Sequence, residues 1–172
     1  SLVKLAKSLN ITVPESQIFN NAEELEGVSL RYPFVLKPAL SRIYTGVEWI
    51  HTHVHVIHNA AELQAELQRS PYLQTTPFMV QSFIPGHGGG IFCLYDKGKP
   101  VQFFAHERLR EKPPEGGVSV LSRSVPVDPD LKARAMKLLG AVNWHGVAMV
   151  EFRITPEGEA YLMEVNTRFW GS

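Results

Sequence analysis

The apolar residues of this chain change period repeatedly, and each change marks an element. Leu2, Leu5 and Leu9 recur at helical spacing with Lys4 and Lys7 between them, which predicts a short amphipathic helix over 1–9 leading to 11–14. A second helix is predicted near 21–31. The run 34–36 reads as a strand ending at Lys37 and Pro38, and a longer strand is expected over 46–57. Asn59 then supplies an N-cap for a helix carrying Leu63 and Leu67 one turn apart, and 78–84 is an apolar strand running into Pro85 and the glycines beyond it. Strands near 90–96 and 99–109 are joined by Asp96, Lys97, Gly98 and Lys99, a hairpin signal, and a further strand lies near 118–125. Asp128 as N-cap, Pro129 at the first helical position and the stripe Leu131, Ala135, Leu138 and Leu139 predict a helix over 129–139, stopped by Gly140. Strand-like runs at 147–154 and 160–167 close the chain. These elements divide at Pro85 into two α+β units, 1–85 and 86–172, with the glycines 86, 88, 89 and 90 as a flexible connection between lobes.

The last two runs define the most informative pattern. They are separated by Thr155, Pro156, Glu157, Gly158 and Glu159, the residues of a tight turn, and so form a hairpin. Pairing Thr155 with Ala160 puts Phe152 opposite Met163, Val150 opposite Val165 and Glu151 opposite Glu164. Apolar then meets apolar on one face and acid meets acid on the other, where Asn166 and Arg168 share the face of Glu164. Like charges directly opposite each other destabilise a sheet, so a positive partner is required. Two carboxylates and an amide oxygen form a hard oxygen set that suits Mg²⁺ or Mn²⁺ better than Zn²⁺. The alternative is a solvated face whose acids are neutralised by Arg153 and Arg168.

Composition narrows the partners. The 172 residues are enough for one ordinary domain or two small lobes with a real core, at 44% hydrophobic and 20% charged content. With 17 basic and 17 acidic residues, no bulk charge recruits nucleic acid or an anionic membrane. The lone Cys93 forms no internal disulfide, which makes a cytoplasmic location the default, and no apolar run reaches the length of a membrane span. The chain opens inside a helix and closes on an unfinished motif, as expected of part of a longer protein.

Lys37 at a strand end, the hydrophobic stretch 79–84 before the glycines, and Glu151 with the segment Glu164, Val165, Asn166, Thr167, Arg168 form one set. Together they resemble the ATP-grasp superfamily, and are closest in look to the branch of biotin carboxylase and the carbamoyl-phosphate synthetase large subunit. The resemblance spans almost the whole chain and implies an α+β fold of two lobes, with mainly antiparallel sheets, enclosing a nucleotide cleft. It implies an ATP-dependent ligase that activates a small carboxylate as an acylphosphate for attack by an amine or other nucleophile. By the same resemblance Lys37 contacts the ATP phosphates, Gln81 accepts the adenine amino group where a glutamate is common, Ser82 and Phe83 offer backbone groups to the base, and Ile84 is its apolar wall. Glu151, Glu164 and Asn166 match the Mg²⁺ positions, and Arg168 matches an arginine that stabilises the intermediate.

Further candidates come from the residues themselves. His106, Arg108 and Arg110 alternate with Ala105 and Leu109 and so point to one face, where they suit a carboxylate or phosphate and join Arg168 as candidate catalytic groups. A polar outer face is the alternative. The segment 112–117 reads as a mobile loop placed to cover the cleft. His51, His53, His55 and His58 have zinc-like alternation but no acid or cysteine beside them, and fit a half-exposed strand better. The chain departs from the family after Lys37, where a glycine-rich loop is replaced by 39–46, with Ser41 and Arg42 as the polar residues available. That departure and Gln81 keep open a nucleotide-binding regulatory module without chemistry, and acids and arginines that are merely a surface network would make the chain an α+β interaction domain without nucleotide.

Overall fold

The computed structural model describes residues 2–40, 42–44, 46–112 and 118–169. It is mixed α and β, its strand pairings are antiparallel, and it forms two compact units, Glu15–Phe83 and a second built from Ser1–Pro14 with Ile84–Ser172.

In the first unit β1 (Ser16–Phe19), β2 (Phe34–Pro38), β5 (His55–Ile57) and β6 (Phe78–Ser82) form a sheet in the order β1-β6-β2-β5, and β3 (Arg42–Tyr44) pairs with β4 (Trp49–His51). Alternation sends Phe19, Phe34, Leu36, Ile57, Phe78 and Val80 to one side, where Leu63 of helix α2 (Ala60–Arg69) and Leu73 complete the core. The predicted helix near 21–31 is only a single 3₁₀ turn, Ala22–Leu25, capped by Asn21. Gly27 follows at φ +74, a left-handed conformation that ends helices, so the apolar positions beyond it pack as irregular chain. The predicted strand 46–57 is two strands, because its halves serve different partners: β4 pairs with β3, and β5 pairs with β2.

In the second unit β7 (His87–Asp96), β8 (Lys99–Lys112), β9 (Val118–Val125), β10 (Gly146–Ile154) and β11 (Ala160–Asn166) form a five-stranded sheet in the order β11-β10-β7-β8-β9. One face, with Ile91, Cys93, Ala105, Ala148, Val150, Phe152 and Leu162, packs on α3 (Pro129–Gly140) through Leu131, Ala135, Leu138 and Leu139. Helix α1 (Leu2–Ser8) joins the same core through Ala6 and its leucines, and the backbone N–H of Leu162 donates to the carbonyl of Thr12 at 2.9 Å. The first fourteen residues therefore belong to the second unit, not to 1–85 as the chain order suggested. Their apolar stripe is satisfied by the longer sheet, a contact that local pattern does not report.

The glycine run is not a flexible connection. Gly88, Gly89 and Gly90 are buried strand residues of β7. Gly86 sits just before it at φ +123, where a Cβ would stand 1.9 Å from the carbonyl oxygen of Ile154.

The Asp128 side chain accepts from the backbone N–H groups of Asp130 and Leu131, both at 2.9 Å. Asp128→Ala is expected to cost about 1 kcal/mol of stability, the usual value of an N-cap, read from the denaturant midpoint at unchanged m-value.

Candidate functional site

The β10–β11 hairpin brings Glu151 and Glu164 into register opposite each other, with Val150 opposite Val165. The register nearer the turn differs from the expected one. The loop holds five residues, closed by the Thr155 N–H donating to the Glu159 carbonyl at 2.8 Å, so Phe152 faces Leu162 instead of Met163. A β-bulge at Met163 absorbs the difference. It also changes which side chains share a face: Ala160 and Leu162 point to the core before it and Val165 after it, while Glu164 and Asn166 turn to the opposite face beside Glu151.

That opposite face is a row of paired positions. Glu164, Glu151, Gly90 and His106 lie across β11, β10, β7 and β8, with Arg153, Gly88 and Arg108 beside them. Arg108 Nη2 meets Glu151 Oε2 at 2.7 Å, and its Nη1 meets Glu111 Oε1 at 3.1 Å. Glu111 Oε2 accepts from Arg153 Nη1 at 2.8 Å, and Arg153 Nε donates to the carbonyl of Ile84 at 3.2 Å. The four charged side chains are between 7% and 15% exposed. Burial pushes the Glu151 carboxyl above the ordinary carboxylate range, and Glu164 adds to the rise while Arg108 opposes it. Burial works against the Arg108 charge, but Glu151 and Glu111 outweigh it and hold the guanidinium above its ordinary pKa.

The positive partner that the acid pair requires is therefore Arg108 in this structure, and not Arg153 or Arg168. Arg153 is taken by Glu111, and Arg168 is exposed, with Nη1 donating to the carbonyl of Phe169. Glu164 accepts from Asn166 Nδ2 at 2.6 Å. Among the described residues no three His, Cys, Asp or Glu gather as metal ligands, so a cation here rests on two carboxylates and one amide.

His106 and Arg108 share the site face as predicted, but Arg110 does not join them. A bulge after Arg108 turns Arg110 to the other face, where it is exposed, and brings Glu111 round to Arg108. His106 is buried edge-on against Phe92 at 4.5 Å between centroids, and its Nε2 has no hydrogen-bond partner. Burial, and then Arg108, holds its pKa below the usual imidazole value, so it faces the site neutral at pH 7. The glycines opposite explain how these side chains fit. A Cβ on Gly88 would lie 2.8 Å from Arg108 Cδ and 2.9 Å from Glu111 Oε1, and one on Gly90 would lie 3.1 Å from His106 Nε2.

In the other unit the register places Lys37, Met79 and Gln81 on the sheet face away from the core. Gln81 is 3% exposed, and its Oε1 has no hydrogen-bond partner. Ser82 ends β6, while Phe83 and Ile84 fall on either side of the division between units. The departure after Lys37 is a hairpin of β3 and β4 with the Tyr44 and Trp49 rings 5.3 Å apart. Ser41, and residues 113–117 of the segment read as a covering loop, lie outside the described residues. The histidines near 51–58 do have acids beside them, supplied by α2: His55 Nε2 stands 3.2 Å from Glu66 Oε1, and His58 Nδ1 2.9 Å from Glu62 Oε2. His55 and His58 thus lie against acids of a helix, and among the described residues no group of three such side chains gathers there as metal ligands. Cys93 is buried, its thiol pushed up to about 12, and is chemically quiet.

Residues 30–172 match the ATP-grasp domain family. The chain belongs to that family. It is 24% identical over 165 residues to the D-alanine–D-alanine ligase of Vesicomyosocius okutanii subsp. Calyptogena okutanii (strain HA), a match covering 92% of this chain and 54% of the relative, so the chain spans about half the relative's length. The fold also matches the ADP complex of N5-carboxyaminoimidazole ribonucleotide synthetase, with TM-score 0.74 and 17% identity over 98% of this chain and 44% of that one. An L-amino acid ligase from Bacillus licheniformis matches with TM-score 0.69 and 16% identity, over 97% of this chain and 39% of that one. Among the described residues of this ATP-grasp chain, no helix is long and apolar enough to cross a membrane. Sequence reasoning missed Glu111 and the role of Gly88. Strict alternation puts Glu111 on the wrong face, but glycines at alternate positions 88 and 90 of one strand signal bulky side chains packed across it.

Because the folded-state pKa of His106 is depressed, its contribution to stability is full above its unfolded value near 6.5 and is lost as pH falls through the folded value. Melting temperatures at pH 7.5 and 5 are expected to fall further for the wild type than for His106→Asn, which lacks the titration; parallel falls would contradict this.

Proposed function

We propose that this chain is the nucleotide- and cation-binding part of an ATP-dependent ligase that joins a small carboxylate to an amine or other nucleophile. The observation that carries the reading is the facing pair Glu151 and Glu164 beside Asn166, an oxygen-only set with excess negative charge on a sheet face otherwise dressed with guanidinium groups. The buried, partnerless Oε1 of Gln81 supports the nucleotide half, since an acceptor held away from water calls for a donor such as the amino group of adenine. Neighbours named as amino-acid ligases support a carboxylate and an amine as the substrate classes. The bound nucleotide with its divalent ion supplies phosphoryl transfer to a carboxylate oxygen.

The chain's own residues then bind and orient. Lys37 is a compact positive charge for phosphate oxygens. Gln81 accepts from the base, Ser82 and Phe83 present backbone groups to it, and Ile84 gives an apolar wall. Glu151, Glu164 and Asn166 hold Mg²⁺ or Mn²⁺. Arg108 and Arg168 are the guanidinium groups for anionic substrate oxygens, where fixed positive charge favours the charge that develops in the transition state. Arg110 has no part in this set. Neutral His106 offers a hydrogen bond and not a charge. The carboxylate and amine partners, further domains of the same protein and a cytoplasmic setting complete the proposal.

Calorimetric titration of ADP is expected to show binding that strengthens with Mg²⁺ and weakens at least about tenfold in Glu164→Ala, the size of a lost charge-assisted contact. Binding indifferent to both metal and mutation would overturn the cation site. Gln81→Leu is expected to weaken ADP about as strongly, since it removes the acceptor, while leaving the Mg²⁺ effect intact. ADP formation by the full-length protein across a panel of carboxylates and amines separates the ligase from a regulatory nucleotide-binding module.

A further inference from the structure

The charges around Glu151 do not stop at a single ion pair. Glu151, Arg108, Glu111 and Arg153 are linked through both ends of Arg108 and both oxygens of Glu111, ending on the Ile84 carbonyl. A buried guanidinium shared by two carboxylates is a structure with two exchangeable partners. We propose that Arg108 is the resident counter-cation of Glu151, which a divalent ion must displace, and that Glu111 is the positioning residue that holds Arg108 in place before and after the exchange. The inference rests on reading Glu151 and Glu164 as cation ligands.

The charge count favours such an exchange. With Arg108 on Glu151, the acids 151, 164 and 111 and the guanidinium groups of 108 and 153, counted by themselves among the described residues, carry one negative charge over. When a divalent ion takes Glu151 and Glu164, that pair is neutralised on its own, and Glu111 remains with two guanidinium groups, an excess of one positive charge. Arg108 is then still tethered by Glu111 but turned off Glu151, a fixed positive charge for an oxyanion such as phosphate or carboxylate. Cation and anion binding are thereby linked: each removes a partner that would otherwise hold the other's site closed, and the linkage is reciprocal. Without an anion, the pair at 2.7 Å opposes uptake of the metal.

Two substitutions disturb this geometry without changing any charge. Arg108→Lys keeps the cation but replaces the two separate donors, Nη1 on Glu111 and Nη2 on Glu151, with one compact ammonium on a shorter reach. Gly88→Ala places a methyl group 2.8 Å from Arg108 Cδ and 2.9 Å from Glu111 Oε1, where both side chains are held by their ion pairs and must shift. The experiment is titration of nucleotide-free protein with Mn²⁺, reading free Mn²⁺ by its paramagnetic resonance signal, with circular dichroism melts confirming that each variant is folded. Arg108→Gln is expected to bind Mn²⁺ at least about tenfold more tightly than wild type, the coupling typical of charged groups in direct contact. Arg108→Lys and Gly88→Ala are expected to bind several-fold more tightly, and adding Glu151→Gln abolishes each gain. If folded Arg108→Lys and Gly88→Ala both bind as wild type does, the exchange is overturned. If Mn²⁺ binding is unaffected by Glu151→Gln and Glu164→Ala in every background, with or without ADP, the cation-site reading itself fails, a result distinct from the first.

Discussion

The bulge at Met163 is the constraint on which the second unit turns. A hairpin with unbroken alternation cannot place Ala160, Leu162 and Val165 in one core, because the last differs in parity from the others. One extra residue in β11 resolves the conflict and delivers Glu164 to the face of Glu151. The apolar requirement of the core thus forces two carboxylates together on the other side of the sheet. Packing and charge are not separate features of this hairpin.

The arginines and glycines answer that enforced proximity. A buried ion pair seldom adds net stability over a well-packed apolar one, since desolvation offsets much of the attraction, and removing one partner leaves an expensive charge behind. A network of two acids and two arginines with 7–15% exposure is therefore poorly explained as a stabilising device. It makes better sense as a site whose charges are balanced in one state and rebalanced by ligands in another. The glycines of β7 fit that view: they remove side chains where Arg108, Glu111 and His106 lie flat across the sheet.

Much of this was legible in the residues. The facing acids followed from matching apolar partners across the hairpin. The Lys37 strand, a strand expected over 78–84 and found over Phe78–Ser82, and a capped helix expected over 129–139 and found over Pro129–Gly140 followed from period and turn chemistry. What escaped were features set at a distance. The number of residues in a turn does not announce a bulge, so Phe152 met Leu162 and Arg110 left the face of Arg108. Gly27 outweighed the helical period of 21–31, helix α1 found its partner in the later sheet, and the acids beside the histidines came from α2. A glycine-rich run looked like a hinge because sequence shows the missing side chain but not the neighbour that needs the room.

The facing carboxylates are best tested by a crystal structure of the protein grown with ADP and Mn²⁺, read in the anomalous density of the metal. The expected result is a peak within about 2.2 Å of oxygens from both Glu151 and Glu164, with the Arg108 guanidinium turned off Glu151 and still bonded to Glu111. A metal bound elsewhere, with the Arg108–Glu151 pair intact, would contradict it.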